Sequence, residues 1–307
     1  MDRFLTGKLA RPRILIAGCG DVGMRILPLI ARRCRVFVLT RQAGRRAELR
    51  AAGAIPILGD LDDAASLFRI AGLAPWILHL APPQNTGPGK ERDLRTRRLL
   101  PALGRVERLV YVSTTGVYGD CRADGGDGGT TSKFDETRRV HPQTARAARR
   151  VDAERVLRGW ARRTGARLSI LRVPGIYAAD RLPLERLRTG TPALSAEDDV
   201  YTNHIHADDL ARIVVDALHR AAPMRVYHAT DDSDLKMGEY FDLVADTFAL
   251  PRPPRLPHDR LAQQVSATLL SFMSESRRLQ NDRIKSELGS RLLHATVKDG
   301  LRNSPGS

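Results

Sequence analysis

An open, doubly wound parallel α/β sheet is the fold class this chain predicts, and three observations predict it. Short apolar runs recur along the first half with helical patterns between them, the rhythm of strand–helix–strand units. These runs are apolar without alternation, as strands covered by helices on both faces must be. The first of them ends in glycines that open a helical stretch.

Taken in order, Arg13 to Ala17 is a buried strand, followed by strands at Val36–Leu39, Ala54–Leu58 and Trp76–Leu80. A fifth lies at Leu109–Ser113 and a sixth at Leu168–Leu171. Before the sixth, Ala153, Val156, Leu157 and Trp160 recur at the spacing of one helical face. Five glycines between Gly119 and Lys133, with Thr130, Thr131 and Ser132, predict a surface loop. Pro251, Pro253, Pro254 and Pro257 predict a stiff extended connector. Helices are expected beyond it at Leu261–Leu270 and Ser274–Leu288, with a frayed tail over 303–307.

Composition bounds the function. The 307 residues are 42% apolar, enough for one large α/β domain or two coupled units and too apolar for a disordered chain. No uncharged apolar stretch approaches the ~20 residues that cross a bilayer, and the first eight residues lack the apolar core of a secretory signal. Three widely spaced cysteines, Cys19, Cys34 and Cys121, fit neither a disulfide framework nor a zinc knuckle. The expectation is a soluble chain in a reducing, cytoplasmic compartment with no membrane contact. The net charge is +15, carried by 44 arginines and 6 lysines spread along the chain with few aromatics. Diffuse charge without stacking rings argues against nucleic acid as a partner and for anionic small molecules.

Gly18-Cys19-Gly20-Asp21-Val22-Gly23 follows the first strand and opens a helix. Glycines at this spacing allow a tight turn, close approach of a pyrophosphate to backbone amides, and tight helix packing; the bland alternative is an ordinary glycine-rich turn. Asp21 is a candidate helix cap, and Pro28 predicts a bend. At the end of the second strand, Thr40-Arg41-Gln42 carries no carboxylate for ribose hydroxyls, and Arg41, with Arg45 and Arg46 nearby, suits a 2′-phosphate. NADP(H) is therefore favoured over NAD, the alternative being surface arginines in an arginine-rich chain. Asp60 is placed either to meet an adenine amine or to cap the next helix. His79, inside an apolar strand, reads as a hydrogen-bonded core residue. His204-x-His206 with Asp208 and Asp209 resembles a metal cluster, but reads better as a strand-to-helix turn capped by Asp208, so no metal is assigned.

With these residues in place, the chain resembles an atypical extended short-chain dehydrogenase/reductase of the NAD-dependent epimerase/dehydratase family. The resemblance rests on Gly18–Gly23, His79-Leu80-Ala81, Tyr111 to Gly119, Leu171 to Tyr177 and His204 to Ala211. It implies a Rossmann-like dinucleotide-binding domain over 1–172, to which the chain returns at about 203–230. A smaller C-terminal substrate unit over 173–202 and 231–302 would complete it. It implies that Gly18, Gly20 and Gly23, with Asp21 and Val22, hold the pyrophosphate, although Ala17 stands where another glycine is common. Ala81 would lie against the cofactor ribose, Pro174 and Gly175 at the nicotinamide, and Ile176–Leu194 in the substrate cleft. Thr114 matches the hydroxyl residue that orients the substrate's reacting oxygen.

One feature of the family is missing. Its acid/base is a Tyr-x-x-x-Lys pair, yet four residues after Tyr111, Tyr118, Tyr177, Tyr201, Tyr227 and Tyr240 stand Thr115, Arg122, Arg181, Ile205, Asp231 and Val244. Aligned through Glu154, the helix puts Arg146 in the tyrosine position and Arg150 in the lysine position. Arginine stays protonated, so Arg146 cannot exchange the proton, whereas Arg150 can still donate to a ribose. Tyr118 is the substitute acid considered first, then Tyr177, His141 and Glu136, each of which also reads as a wall or loop residue. The implied function is an NADP(H)-dependent oxidoreductase or epimerase/dehydratase-like enzyme on a small polar substrate, with Thr114, Tyr118 and Arg150 at the chemistry and a homodimer as a possible assembly. The alternative is a catalytically silent NADP(H)-binding sensor.

Overall fold

The computed structural model describes residues 11–85, 90–122 and 132–302. Six strands alternate with helices in the first part of the chain: β1 (Arg13–Ala17), β2 (Arg35–Thr40), β3 (Ala54–Leu58), β4 (Trp76–His79), β5 (Arg108–Thr114) and β6 (Arg167–Val173). Four short strands follow, β7 (Gly175–Tyr177), β8 (Ala193–Leu194), β9 (Tyr201–Thr202) and β10 (His204–His206), before β11 (Arg225–His228) rejoins the main sheet. The helices are α1 (Asp21–Ile30), α2 (Arg46–Ala51), α3 (Leu94–Ala102), α4 (Ala145–Thr164), α5 (Leu184–Arg188), α6 (Ala207–Arg220) and α7 (Met237–Thr247). Four more, α8 (His258–Ala262), α9 (Ala267–Met273), α10 (Asp282–Ser286) and α11 (Val297–Arg302), end the chain.

The sheet has seven parallel strands in the order β11-β6-β5-β4-β1-β2-β3. The order reverses between β1 and β4, and such a switch point leaves a crevice beyond the carboxyl ends of the strands. Successive side chains leave a strand on opposite faces, and the core follows that rule. Ile14, Ile16, Val36 and Val38 enter one apolar layer with Ile26 of α1 and Leu210 and Val214 of α6. Leu15, Ala17, Phe37 and Leu39 enter the other with Leu99 of α3 and Leu157 of α4. Each such aliphatic side chain contributes about 1.5–3 kcal/mol by leaving water, which is why both faces are covered. A third apolar cluster, including Leu187, Leu194, Phe241, Val244, Leu261 and Val297, forms the core of the C-terminal segments.

Several sequence expectations change. Asp21 is the first residue of α1 rather than its cap; Gly20 takes that position without a side chain, and Asp21 pairs with Arg25 and Arg181 instead. Asp63, not Asp60, caps the 3-10 turn after β3. At α6 the cap is His206, whose Nδ1 accepts the Asp208 amide at 3.2 Å. The helix expected over Ser274–Leu288 reduces to α10, because the chain before it runs alongside Phe134, exchanging backbone bonds through Arg278 and Gln280. Similarly, Leu261–Leu270 belongs to two short helices, α8 and α9. Most of the glycine-rich stretch between Gly119 and Lys133, and the tail over 303–307, lie outside the described residues. No helix among the described residues is long and apolar enough to cross a membrane.

Candidate active site

At the switch point lies a cavity of about 640 Å³ that reaches from the Gly18–Gly23 turn past Thr40 and Arg41 to Thr114, Arg150 and Pro174. Its floor is set by the glycines, each for its own reason. Gly18 has φ +95°, and a Cβ there would lie 2.3 Å from the Ala81 nitrogen, so only glycine lets β1 turn against β4. Gly20 lines the cavity with nothing within 4 Å of where its Cβ would be, which leaves room for a ligand to approach the backbone. At Gly23 a Cβ would meet the Cys19 sulfur at 2.8 Å, which keeps the helix tight on the turn. The chemistry of these residues fits a pyrophosphate: open space against the backbone at Gly20 and the positive end of a ten-residue helix.

Charged side chains frame the same turn. Arg45 donates from Nη1 to the Cys19 carbonyl at 2.6 Å while Glu48 holds its other nitrogens, so it braces the turn. Arg181 reaches Asp21 at 2.9 Å from the segment after β7, and Arg25 bridges Asp21, Asp180 and Asp208. Burial alone would raise the Asp21 carboxyl, but the hydrogen bonds from Arg181 and Arg25 hold it below the ordinary range. Arg41 lines the cavity, is exposed, and forms no salt bridge among the described residues. Arg46 does not line it. Asp60 and Ala81 do. Val22 faces it beside Asp21.

At the far end, Thr114 closes β5, and its Oγ1 accepts the Gly116 amide at 3.3 Å. Arg150, from α4, donates through Nη1 to the Tyr111 hydroxyl at 3.0 Å and the Val112 carbonyl at 2.8 Å. A guanidinium fixed by two acceptors is a stationary positive charge on the cavity wall. Arg146 does not line the cavity; it stacks on Phe272 with its guanidinium carbon 3.8 Å from the ring centre.

Tyr118 stands elsewhere than the sequence reading supposed. It is 1% exposed and absent from the cavity wall. Its hydroxyl accepts from Arg172 Nη1 at 2.6 Å and donates to His228 Nε2 at 2.6 Å. The tautomer follows from the ring's other side, where Nδ1 donates to the Gln280 carbonyl at 2.9 Å. Arg172 also grips Glu154, Nε to Oε1 at 3.1 Å and Nη2 to Oε2 at 2.8 Å, and Ser113 adds a bond of 2.7 Å. Burial drives Glu154 upward, yet those bonds win and keep it ionised. Burial also pushes the Tyr118 phenol up to about 12 and His228 down to about 3. The group is a buried polar network, satisfied internally.

The remaining candidates also stand off the cavity wall. Glu136 accepts the His228 amide and pairs with Arg283 at 3.2 Å. Tyr177 is buried and donates to the Thr296 carbonyl, and His141 is exposed and off the cavity wall. His79 is a core residue, bonded to Thr96 at 2.8 Å and pushed down to about 3 by burial. Of the lining arginines, sequence reasoning missed Arg95 and placed Arg181 only within the Ile176–Leu194 segment expected at the cleft. Both come from segments distant in sequence from the turn, and nothing local distinguishes them from the other arginines.

Comparison with known proteins agrees with the fold. The sequence profile described as "NAD dependent epimerase/dehydratase family" matches residues 14–229. No curated protein matches the chain. A functionally unknown conserved protein from Silicibacter pomeroyi is 27% identical with a TM-score of 0.73, over 94% of this chain and 96% of that one. A dTDP-glucose 4,6-dehydratase from Streptomyces venezuelae, solved with NAD bound, is 21% identical with a TM-score of 0.74, over 95% of each chain. A UDP-glucose 4-epimerase from Thermotoga maritima, solved with UDP-glucose, is 19% identical with a TM-score of 0.73, over 94% and 96%.

Proposed function

Because the chain belongs to the NAD dependent epimerase/dehydratase family, we propose that its cavity binds NADP(H) and serves hydride exchange with a small polar substrate. One observation carries the reading: a single cavity joins the glycine turn, an exposed arginine at the end of β2, and a fixed hydroxyl and guanidinium at the end of β5. The amides of Gly18 to Gly23 take the pyrophosphate, Arg41 the 2′-phosphate, Asp60 an adenine amine and Ala81 the ribose face. Pro174 walls the nicotinamide end. The dinucleotide supplies a two-electron hydride when bound.

This chain's own residues then orient and polarise. Thr114 Oγ1 donates to the substrate oxygen, and Arg150 supplies a positive charge to a ribose hydroxyl or a developing oxyanion. The proton comes from solvent, because Tyr118 is sealed in its network and no tyrosine or histidine lines the cavity among the described residues. Purified protein with NADPH should oxidise it in the presence of some member of a carbonyl panel, and Thr114→Ala should lower the rate at least tenfold. No turnover across the panel, with Thr114→Ala without effect, removes the enzymatic reading.

The wall without a tyrosine or histidine favours a second reading, a silent NADP(H)-binding sensor. Such a protein binds the dinucleotide one to one and changes its affinity for a partner without consuming it. Single-turnover absorbance at the nicotinamide band separates the two.

A further inference from the structure

We propose that His206, Asp208 and His294 form a site for a divalent transition-metal ion, with Zn²⁺ the fitting case, that pins the segment before α11 to the start of α6. One donor atom from each of these residues lies within 4.8 Å of the other two. The sequence pattern had suggested His204 as the partner of His206, but His204 is buried and stacked on Tyr240 at 4.1 Å. The second imidazole is His294 instead, from far along the chain, which no local spacing reveals.

The surroundings hold the three groups in place. Asp209, next to Asp208, accepts the Leu293 amide at 2.6 Å and the His294 amide at 2.9 Å, so its carboxylate draws the His294 segment onto α6. The two imidazole rings then meet with centroids 3.9 Å apart at a tilt of 43°. Arg25 occupies Oδ1 of Asp208 at 2.7 Å, and the other oxygen, Oδ2, lies 3.8 Å from His206 Nδ1. Such an outer partner orients a ligating carboxylate. The His294 Nδ1 atom is itself buried and has no hydrogen-bond partner among the described residues. An unpaired ring nitrogen beside a second imidazole and a carboxylate is a donor set for which a metal ion is the natural acceptor.

Two imidazoles and one carboxylate are borderline and hard donors, the set that zinc accepts in three-ligand sites with a fourth position open. His206 Nδ1 already accepts the Asp208 amide at 3.2 Å, so that nitrogen offers a lone pair. Bonds of about 2.0–2.2 Å to a tetrahedral ion place the donors closer together than they stand, which Asp208 and His294, both half-buried, reach by small rotations. The ion competes with the Asp208 amide for His206 Nδ1, and Arg25 sits beside the carboxylate, both of which weaken its affinity.

Calorimetric titration of chelator-treated full-length protein with Zn²⁺ tests this, with Co²⁺ as a spectroscopic probe. One ion per chain, visible Co²⁺ bands of a low-symmetry site and a raised melting temperature are expected. His294→Ala and Asp208→Asn, each checked for folding by circular dichroism, should each weaken binding at least tenfold. NADPH affinity, measured in parallel, should stay unchanged in His294→Ala, which keeps this site separate from the dinucleotide reading. Absence of binding at submillimolar Zn²⁺ overturns the proposal, and so does one-to-one binding that either folded variant leaves intact.

Discussion

Replacing Tyr118 by Phe tests whether that residue belongs to the chemistry or to the core. The phenol oxygen accepts from Arg172 at 2.6 Å and donates to His228 at 2.6 Å, and both partners are buried. Phenylalanine fills the same space but leaves the His228 Nε2 lone pair without a donor and an Arg172 N–H without an acceptor. A buried polar group left unpaired costs about 1–3 kcal/mol, more when charged. Arg172 keeps its two bonds to Glu154, which limits the loss, so about 2–3 kcal/mol is expected. At about 2 °C for each kcal/mol in a chain of this size, the melting temperature should fall by about 4–6 °C. Thermal and urea unfolding followed by circular dichroism read the stability, and NADPH titration reads the site. The expected result is a destabilised protein with unchanged NADPH affinity and, per folded molecule, unchanged turnover. Full stability with turnover abolished refutes the placement of Tyr118 outside the reaction.

Other perturbations follow from the same geometry. Gly18→Ala puts a Cβ 2.3 Å from the Ala81 nitrogen at a φ of +95°, so the turn must move; dinucleotide binding should fall below detection in fluorescence titration, and retained affinity contradicts the cradle. Arg41→Ala should weaken NADPH about tenfold and leave NADH unchanged, since an exposed arginine–phosphate contact is worth about 1–2 kcal/mol; equal losses for both cofactors contradict a 2′-phosphate role. Asp231 supplies a pH test. Burial pushes its carboxyl up to about 7 from the ordinary 3.8, with Oδ2 unpartnered among the described residues. Between those values the folded chain holds a proton that the unfolded chain has released, so this group makes stability fall as pH rises through that window. Asp231→Asn should therefore stabilise the protein by up to about 4 kcal/mol at pH 8 and by almost nothing at pH 4, measured by urea unfolding at both. A gain that does not depend on pH contradicts the assignment.

Much of this fold was readable because a parallel sheet buried on both faces writes its strands as continuous apolar runs. All six runs became strands of the main sheet, and the glycine turn lay where β1 meets α1. The seventh strand escaped as a run because Arg225-Val-Tyr-His is short and ends in polar residues whose partners are distant, Glu287 for Arg225 and Tyr118 for His228. Residues 274–281 looked helical by composition, yet their backbone bonds go to Phe134, Asn203 and Cys121, contacts that no local pattern encodes. The cap of α6 was missed by two positions, because a histidine ring nitrogen took the role an aspartate usually fills. At the site, three residues at strand ends that the motifs singled out, Thr114, Arg41 and Pro174, lined the same cavity. Tyr118 did not, because its neighbours Arg172 and His228 come from other strands and draw its hydroxyl into the core.

Side-by-side calorimetric titration of the full chain with NADPH and NADH weighs on the dinucleotide cradle more directly than any other measurement. One-to-one binding of both, with NADPH about tenfold tighter through Arg41, is the predicted result. No heat from either dinucleotide at millimolar concentration contradicts it.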